Sequence, residues 1–452
     1  MPAPSPSELL QALGSGDADS QLQAVRTIKN GIIGNKGKKT AFSSAGAVPR
    51  LVEIVRNATA QPQENLGSAL AGATEQDPAT REPAQSEVVV HAVAALGSFA
   101  FGSYDGNSAV MAAGAFPLLK RLLYSRHQKV VAAAARTIKI ILEVNPPASQ
   151  HIFQHEGSGN AAGAAAEKAG ATAKVPGDKM MAAGQDLSTV ERLVQLVAEG
   201  QEGTAEIAAS LLARACQTRE QQRALSAAGA WEITDSLLLS SPKGQEAGLD
   251  LAASMVRGNA VQAAFMLRRQ STNIVNLLAF VRHRRPCTRL LACTCIASAA
   301  ACGAFPVEQH QYEVSVVLHT AIKLLSSEPH KEIKEKAPNV IALLVRHNDA
   351  LQCAAAETGL IDMLVSQVML VSMLAMACAR TKRGTDVCAS CCLVLHRAHV
   401  IVHCVCGTPL MPQGEAHGAS VRERNAVMGC LECIAASNED LRSQVGKAVR
   451  VS

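Results

Sequence analysis

The sequence predicts an all-α chain made of about seven stacked helical repeats, and three observations carry that expectation. Hydrophobic residues reach 48% of the 452 residues while aromatics stay at 3%. Runs such as VVAAAARTIKIIL (130–142) show Ala supplying much of the apolar content, and Ala favours helix and close helix approach over sheet. A Gly-led motif recurs four times, and its anchor positions fall at a steady interval.

The four copies are AGAVPRLVEIV (45–55), AGAFPLLKRLL (113–123), AGAWEITDSLL (228–238) and TGLIDMLVSQV (358–368). Each has a Gly, an apolar residue two positions on, and apolar residues at helical spacing, so the Gly suits the end of a preceding helix. Pro49 and Pro117 stand where a first helical turn tolerates Pro. Weaker copies, TVERLVQLV, NIVNLLAFV and VLHTAIKLL, supply the remaining anchors. The anchors are Val48, Phe116, Val190, Trp231, Ile274, Leu318 and Ile361, with successive spacings of 68, 74, 41, 43, 44 and 43 residues. The last four match the period of about 40 to 47 residues seen in armadillo and HEAT repeats.

The chain then divides in order. Residues 1–60 hold a first repeat and its joint, with GIIGNKGKKT (31–40) read as the joint. That stretch nearly spells a phosphate-binding loop, but its Gly and Lys spacing is wrong and a helix pattern, not a strand, precedes it. Its lysines Lys36, Lys38 and Lys39 are expected on an exposed corner. Residues 61–86 are a polar, Gly/Pro/Ala-rich flexible insertion; removing it from the first long spacing restores the period. Residues 87–155 hold repeats, and 156–185 form a second flexible insertion of the same kind. Repeats continue over 186–368, a Cys/His-rich apolar insertion fills 369–420, and 421–452 supply the last helix. Each helix pair buries its apolar face only against its neighbours, so the stack is a solenoid.

IKNGIIGNKGKKTAFSSAGAVPRLVEIV and AALGSFAFGSYDGNSAVMAAGAFPLLKRLLYS resemble armadillo repeats, a right-handed helical solenoid. More narrowly they are similar to the armadillo subunit family of the GID/CTLH ubiquitin ligase complex. The similarity continues through LLARACQTREQQRALSAAGAWEITDSLL and VRERNAVMGCLECIAASNEDLRSQVGK. The resemblance implies a non-catalytic scaffold that contacts other subunits of a multisubunit ubiquitin ligase, supports proteasomal degradation, and works in cytoplasm and nucleus; another armadillo adaptor, in adhesion or trafficking, is the alternative. The family's substrate receptor is held mainly by C-terminal repeats, and the chain is expected to correspond to the N-terminal half or a short form that lacks them.

In armadillo proteins that hold extended peptides, Asn residues on successive third helices bond the peptide backbone. By that similarity the matching positions here are Asn30, Ser98, Ile140, Arg214, Ser254, Leu343 and Cys433. Only one Asn remains, which points away from a nuclear-import type of groove and toward a surface for folded or helical partners. Asn30, Ser98, Arg214 and Ser254 are the partner-binding candidates, joined by Arg282, Arg284 and Arg285 of the basic run RHRRPCTR (282–289). That run fits a solvated loop, an acidic docking partner or nuclear targeting.

Cys388 and Cys391 have metal-pair spacing, and His396, His399, His403, Cys404 and Cys406 follow. A tetrahedral zinc site is one use of such a set; an inserted segment without metal is the other, and no cofactor is expected. Cys430 and Cys433, three apart, read as two buried thiols on one helical face. No nucleophile with a positioned base is discernible. A net charge of +5 is too mild to argue for nucleic acid, and interleaved aromatics for base stacking are lacking. The longest apolar run, 364–379, is shorter than the roughly 20 residues of a bilayer span. MPAPSPSELL lacks the charged start and apolar core of a secretory signal, so the fourteen Cys are expected to be reduced.

Overall fold

The computed structural model describes residues 5–15, 17–60, 78–154, 188–346, 348–366, 418–435 and 441–445. Every regular element among them is helical. The chain divides into two compact units, the first ending at Leu251 and the second beginning at Ala252.

The first unit opens with α1 (Pro6–Leu13) and α2 (Ala18–Ile32). Ser5 caps α1 in a capping box with Glu8, and Asp17 caps α2, so both starts are written in the local sequence. Three-helix repeats follow: α3 (Lys36–Ser44), α4 (Ala47–Ala60) and α5 (Pro78–Ala100); then α6 (Tyr104–Ala112), α7 (Ala115–Leu122) and α8 (Gln128–Val144). A 3-10 turn at Pro146–Ser149 runs into α9 (Gln150–Phe153), which takes the place of a first helix before α10 (Thr189–Glu199) and α11 (Glu202–Ala215). The next repeat is α12 (Arg219–Ala227), α13 (Ala230–Leu238) and α14 (Pro242–Val256), the last of which carries the chain across the boundary. A short first helix, a second helix and a long third helix per repeat is the armadillo arrangement.

The turn from first to second helix is made by the motif glycine. Gly46, Gly114 and Gly229 have φ of 88°, 76° and 90°, a left-handed conformation that costs other residues about 1–2 kcal/mol. The apolar residue two positions on is then driven inward: Val48, Phe116 and Trp231 are buried. Along the unit, α2 packs on α5, α5 on α8 and α8 on α11. Their inner faces supply Ile28, Ile32, Leu96, Phe99, Ile138, Ile141 and Leu142, all buried. Thr137 Oγ1 donates to the Val93 carbonyl at 3.0 Å, and an ideal Cβ on Gly97 would sit 2.9 Å from that hydroxyl, so α5 and α8 approach closely through a glycine.

A second device closes the joints. Cationic side chains donate to carbonyls left unpaired at the ends of neighbouring helices, where the helix dipole also favours positive charge. Arg121 reaches the Thr59 carbonyl at 2.9 Å, Lys39 the Phe101 carbonyl at 2.7 Å, Arg192 the Leu123 carbonyl at 3.1 Å, and the buried Lys120 the His151 carbonyl at 3.0 Å.

The second unit contains α15 (Ala260–Arg268), α16 (Ile274–Val281) and α17 (Pro286–Ala301), then α18 (Gln311–Ser327), α19 (Lys331–Val345) and α20 (Asp349–Glu357). Helical residues 360–366, the helix Gly418–Ala435 and helical residues 441–445 complete its described part. Here α17 packs on α19, and α19 on Gly418–Ala435.

Four expectations are corrected. The lysines of GIIGNKGKKT lie in a helix: Lys36, Lys38 and Lys39 begin α3, whose N-cap is the Asn35 side chain. The start of α3 reads as a loop because Phe42 is the one buried residue of that helix. The predicted insertion 61–86 overlaps α5, which already starts at Pro78. Leu318 is fully buried but sits in the middle of the long helix α18, not at a helix start, since no motif glycine breaks 311–327. Ile274, a predicted anchor, is only half-buried. Residues 61–77, 155–187 and 367–417, which include most of the predicted insertions, lie outside the described residues.

Candidate partner-binding surface

The long third helices bury one face against their neighbours, and the opposite face is where a row of non-core side chains can meet a partner. A conserved geometry within this chain sets their register. Three of these helices end in a left-handed glycine followed by a polar cap: Gly34–Asn35, Gly102–Ser103 and Gly258–Asn259, with glycine φ of 71°, 65° and 64°. The caps accept the backbone N–H of Lys38, Gly106 and Gln262, starting the next first helix. Asn30, Ser98 and Ser254 each precede their glycine by four residues. The same count from Gly303 lands on the buried Ala299 of α17, a position the motif match passes over.

The structure treats the predicted contact residues differently. Asn30 is exposed on α2. Ser98 is half-buried on α5 and turns its hydroxyl back to the Ala94 carbonyl at 3.0 Å. Asn30 and Ser98 stand on helices that pack together, as do Ile140 on α8 and Arg214 on α11. Arg214 is half-buried, with its Nε 3.8 Å from Glu143 Oε1. Ser254 is buried, 3% exposed, which removes it as a contact residue; the tight helix packing around a small side chain closes over it. Arg282 and Arg284 are exposed between α16 and α17, and Arg285 is half-buried where it leads into α17. Its backbone N–H donates to His283 Nδ1 at 3.2 Å. Arg289 of the same run is drawn onto Glu328 at 3.3 Å.

Cys388, Cys391, His396, His399, His403, Cys404 and Cys406 lie outside the described residues. Among the described residues no group of three or more His, Cys, Asp or Glu is placed to hold a metal ion. Cys430 is buried, and burial pushes its thiol pKa upward. Cys433 departs from the expected pair of buried thiols: it is half-exposed, and its sulfur accepts from Arg346 at 3.9 Å. Cys293 of α17 is also buried, its thiol pushed up to about 12, so it stays protonated and unreactive.

One turn before the Asn30–Ser98–Ile140–Arg214 row, the same face carries Arg26, Ala94, Arg136 and Ser210. Arg26 and Arg136 are exposed, and Ala94 between them is half-buried. Beside Arg26 lies a polar cluster that joins α2 to α5. Arg26 Nε donates to His91 Nε2 at 3.1 Å, and Arg26 Nη2 pairs with Glu87 Oε2 at 3.2 Å. Lys29 Nζ lies 3.2 Å from His91 Nδ1. A neutral imidazole accepts at only one of its nitrogens, so one of the two cations faces an N–H. Burial, then Lys29 and Arg26, hold the His91 pKa below its ordinary value, with Glu87 opposing. The local sequence conceals this cluster because its α2 and α5 members are 61 to 65 residues apart. Register reaches only one member: Arg26, like Arg136 on α8, stands four residues before a matched position, Asn30 and Ile140 respectively.

No family model matches the chain, and no curated protein matches it. Among solved structures, the chain is similar to the crystal structure of an engineered protein, with 19% identity, a TM-score of 0.52, and coverage of 99% of this chain and 87% of that one. A designed armadillo repeat protein aligns over 65% of this chain and 100% of its own, at 19% identity and a TM-score of 0.47. The match to the engineered protein, at 19% identity, speaks for the fold alone, and the three-helix repeats turning on left-handed glycines give this chain an armadillo-type helical repeat fold.

Proposed function

We propose that the chain is a non-catalytic, protein-binding scaffold, and more narrowly a scaffold subunit of a GID/CTLH-type ubiquitin ligase in cytoplasm and nucleus. The observation that carries the coarser reading is the stack of third helices in the first unit, α2, α5, α8 and α11. It sets side chains the core does not use, among them Arg26, Asn30 and Arg136, into registered exposed positions. Repeat arrays use such extended surfaces to bind other proteins. The narrower reading is supported by the family-like stretches around GIIGNKGKKT and ALGSFAFG, which coincide with the α2–α3 and α5–α6 corners. Affinity purification of the tagged full chain from its native cells, read by mass spectrometry, tests it. Subunits of a CTLH-type ligase are expected in stoichiometric amounts. Their absence, with other partners present, would sink the ligase assignment and leave the scaffold reading in place.

A further inference from the structure

The α2–α5–α8 face carries more positive charge than it compensates. Arg26 and Lys29 both address His91, and the single carboxylate of the cluster, Glu87, binds only Arg26. On α8, Arg136 is exposed and has no ion pair or hydrogen bond among the described residues. Between the two arginines the surface is lowered by a small residue, Ala94, with the hydroxyl of Ser98 one turn on. Asn30 lies one turn from Arg26 on α2, exposed, with an amide able to donate and accept at once.

We propose that this face holds an acidic, extended segment of a partner protein, with one carboxylate at the Arg26–Lys29–His91 cluster and a second at Arg136. The proposal rests on the protein-binding reading above and names the class of partner: an extended one, held by its carboxylates and not by its backbone, so that the missing Asn ladder does not exclude it. Adjacent packed helices stand about 8–10 Å apart, so α2 and α8 are separated by roughly 16–20 Å. An extended chain covers that span in about five or six residues. A carboxylate at the cluster gives Arg26 and Lys29 an acceptor other than the ring, and its negative charge favours the protonated imidazole beside it. Among the described residues, the charged groups acting on the His91 ring are Lys29 and Arg26 from α2 and Glu87 from α5, with none from α4, α6 or α8. Binding is therefore coupled to proton uptake. It tightens as pH falls from 7.5 to 6.0, a range in which ligand glutamates stay ionised.

Isothermal titration of the full chain with a short, end-capped Ser/Thr peptide bearing Glu pairs about five residues apart tests this. Saturable binding is expected, about threefold tighter at pH 6.0 than at pH 7.5, with the pH effect lost in His91→Gln. Arg26→Ala and Arg136→Ala should each weaken binding about three- to fivefold. Arg136 is exposed and holds nothing together among the described residues, so Arg136→Ala should melt as the parent does; Arg26→Ala also loses the Glu87 pair, so Arg136→Glu, with a stronger loss of binding, is the second check. Equal binding of the matching Lys peptide, no effect of either arginine, or equally tight binding of a single-stranded oligouridylate would each overturn the proposal. None of these outcomes depends on ligase subunits, so they are separable from failure of the ligase reading.

Discussion

At the scale of single residues, His91 shows how an array acquires chemistry that no local pattern contains. Its ring is partnered by Arg26 and Lys29 from the preceding third helix, and its pKa is lowered first by burial. In the unfolded chain the same imidazole titrates near its ordinary value of about 6.5. Above that value both states are neutral at this site and it contributes nothing. As pH falls through the window between 6.5 and the lower folded value, the unfolded state binds the proton more readily and stability declines. Denaturant midpoints recorded between pH 8 and pH 5 should therefore fall more steeply for the parent than for His91→Gln. Identical slopes would remove His91 from the pH response. The three groups escape sequence reading because α2 and α5 belong to different repeats, and only stacking brings Arg26 to Glu87.

Single helices divide into those that announce themselves and those that do not. The motif glycines at 46, 114 and 229 predict their turns because a left-handed residue is needed between two helices meeting at an angle, and they adopt it. A helix such as α3 fails to announce itself: four polar residues, Lys36, Lys38, Lys39 and Thr40, crowd its start, and only its Asn35 cap and Phe42 mark it. The Gly–polar pairs at 34–35, 102–103 and 258–259 mark such starts only once the left-handed glycines are seen in the fold. The same scale holds the joint-closing cations. Arg192 donates to the Leu123 carbonyl, a helix-terminal acceptor, while its guanidinium lies 5.9 Å from the Tyr124 ring. Replacing it by Met keeps the stem and removes the donor. Arg192→Met should cost about 1–2 kcal/mol, measurable by chemical denaturation; a loss below a few tenths would show that the Arg192 bond holds nothing at the joint.

In the whole molecule, the contacts of each repeat run chiefly to the next, so damage should stay near its source. Phe99 is fully buried at the end of α5, and Phe99→Ala should cost about 3–5 kcal/mol. Hydrogen exchange should then show lost protection centred on α4 to α8, fading toward α12 and α13. A uniform loss along the first unit would mean that it unfolds as one cooperative block. Much of the fold was readable because the anchor spacing is itself the architecture, and Val48, Phe116, Val190 and Trp231 are all interior. Contacts between repeats were not readable, since nothing in a linear period says which exposed face of one helix meets which of the next.

The burial of Trp231 has a practical corollary. It is the only Trp in the chain, 1% exposed, in the helix that follows Gly229. Indole emission is therefore an optical address for a single repeat, whereas far-ultraviolet ellipticity averages over every helix. Where the two signals part company during heating, the gap between them measures how far one repeat can melt without its neighbours.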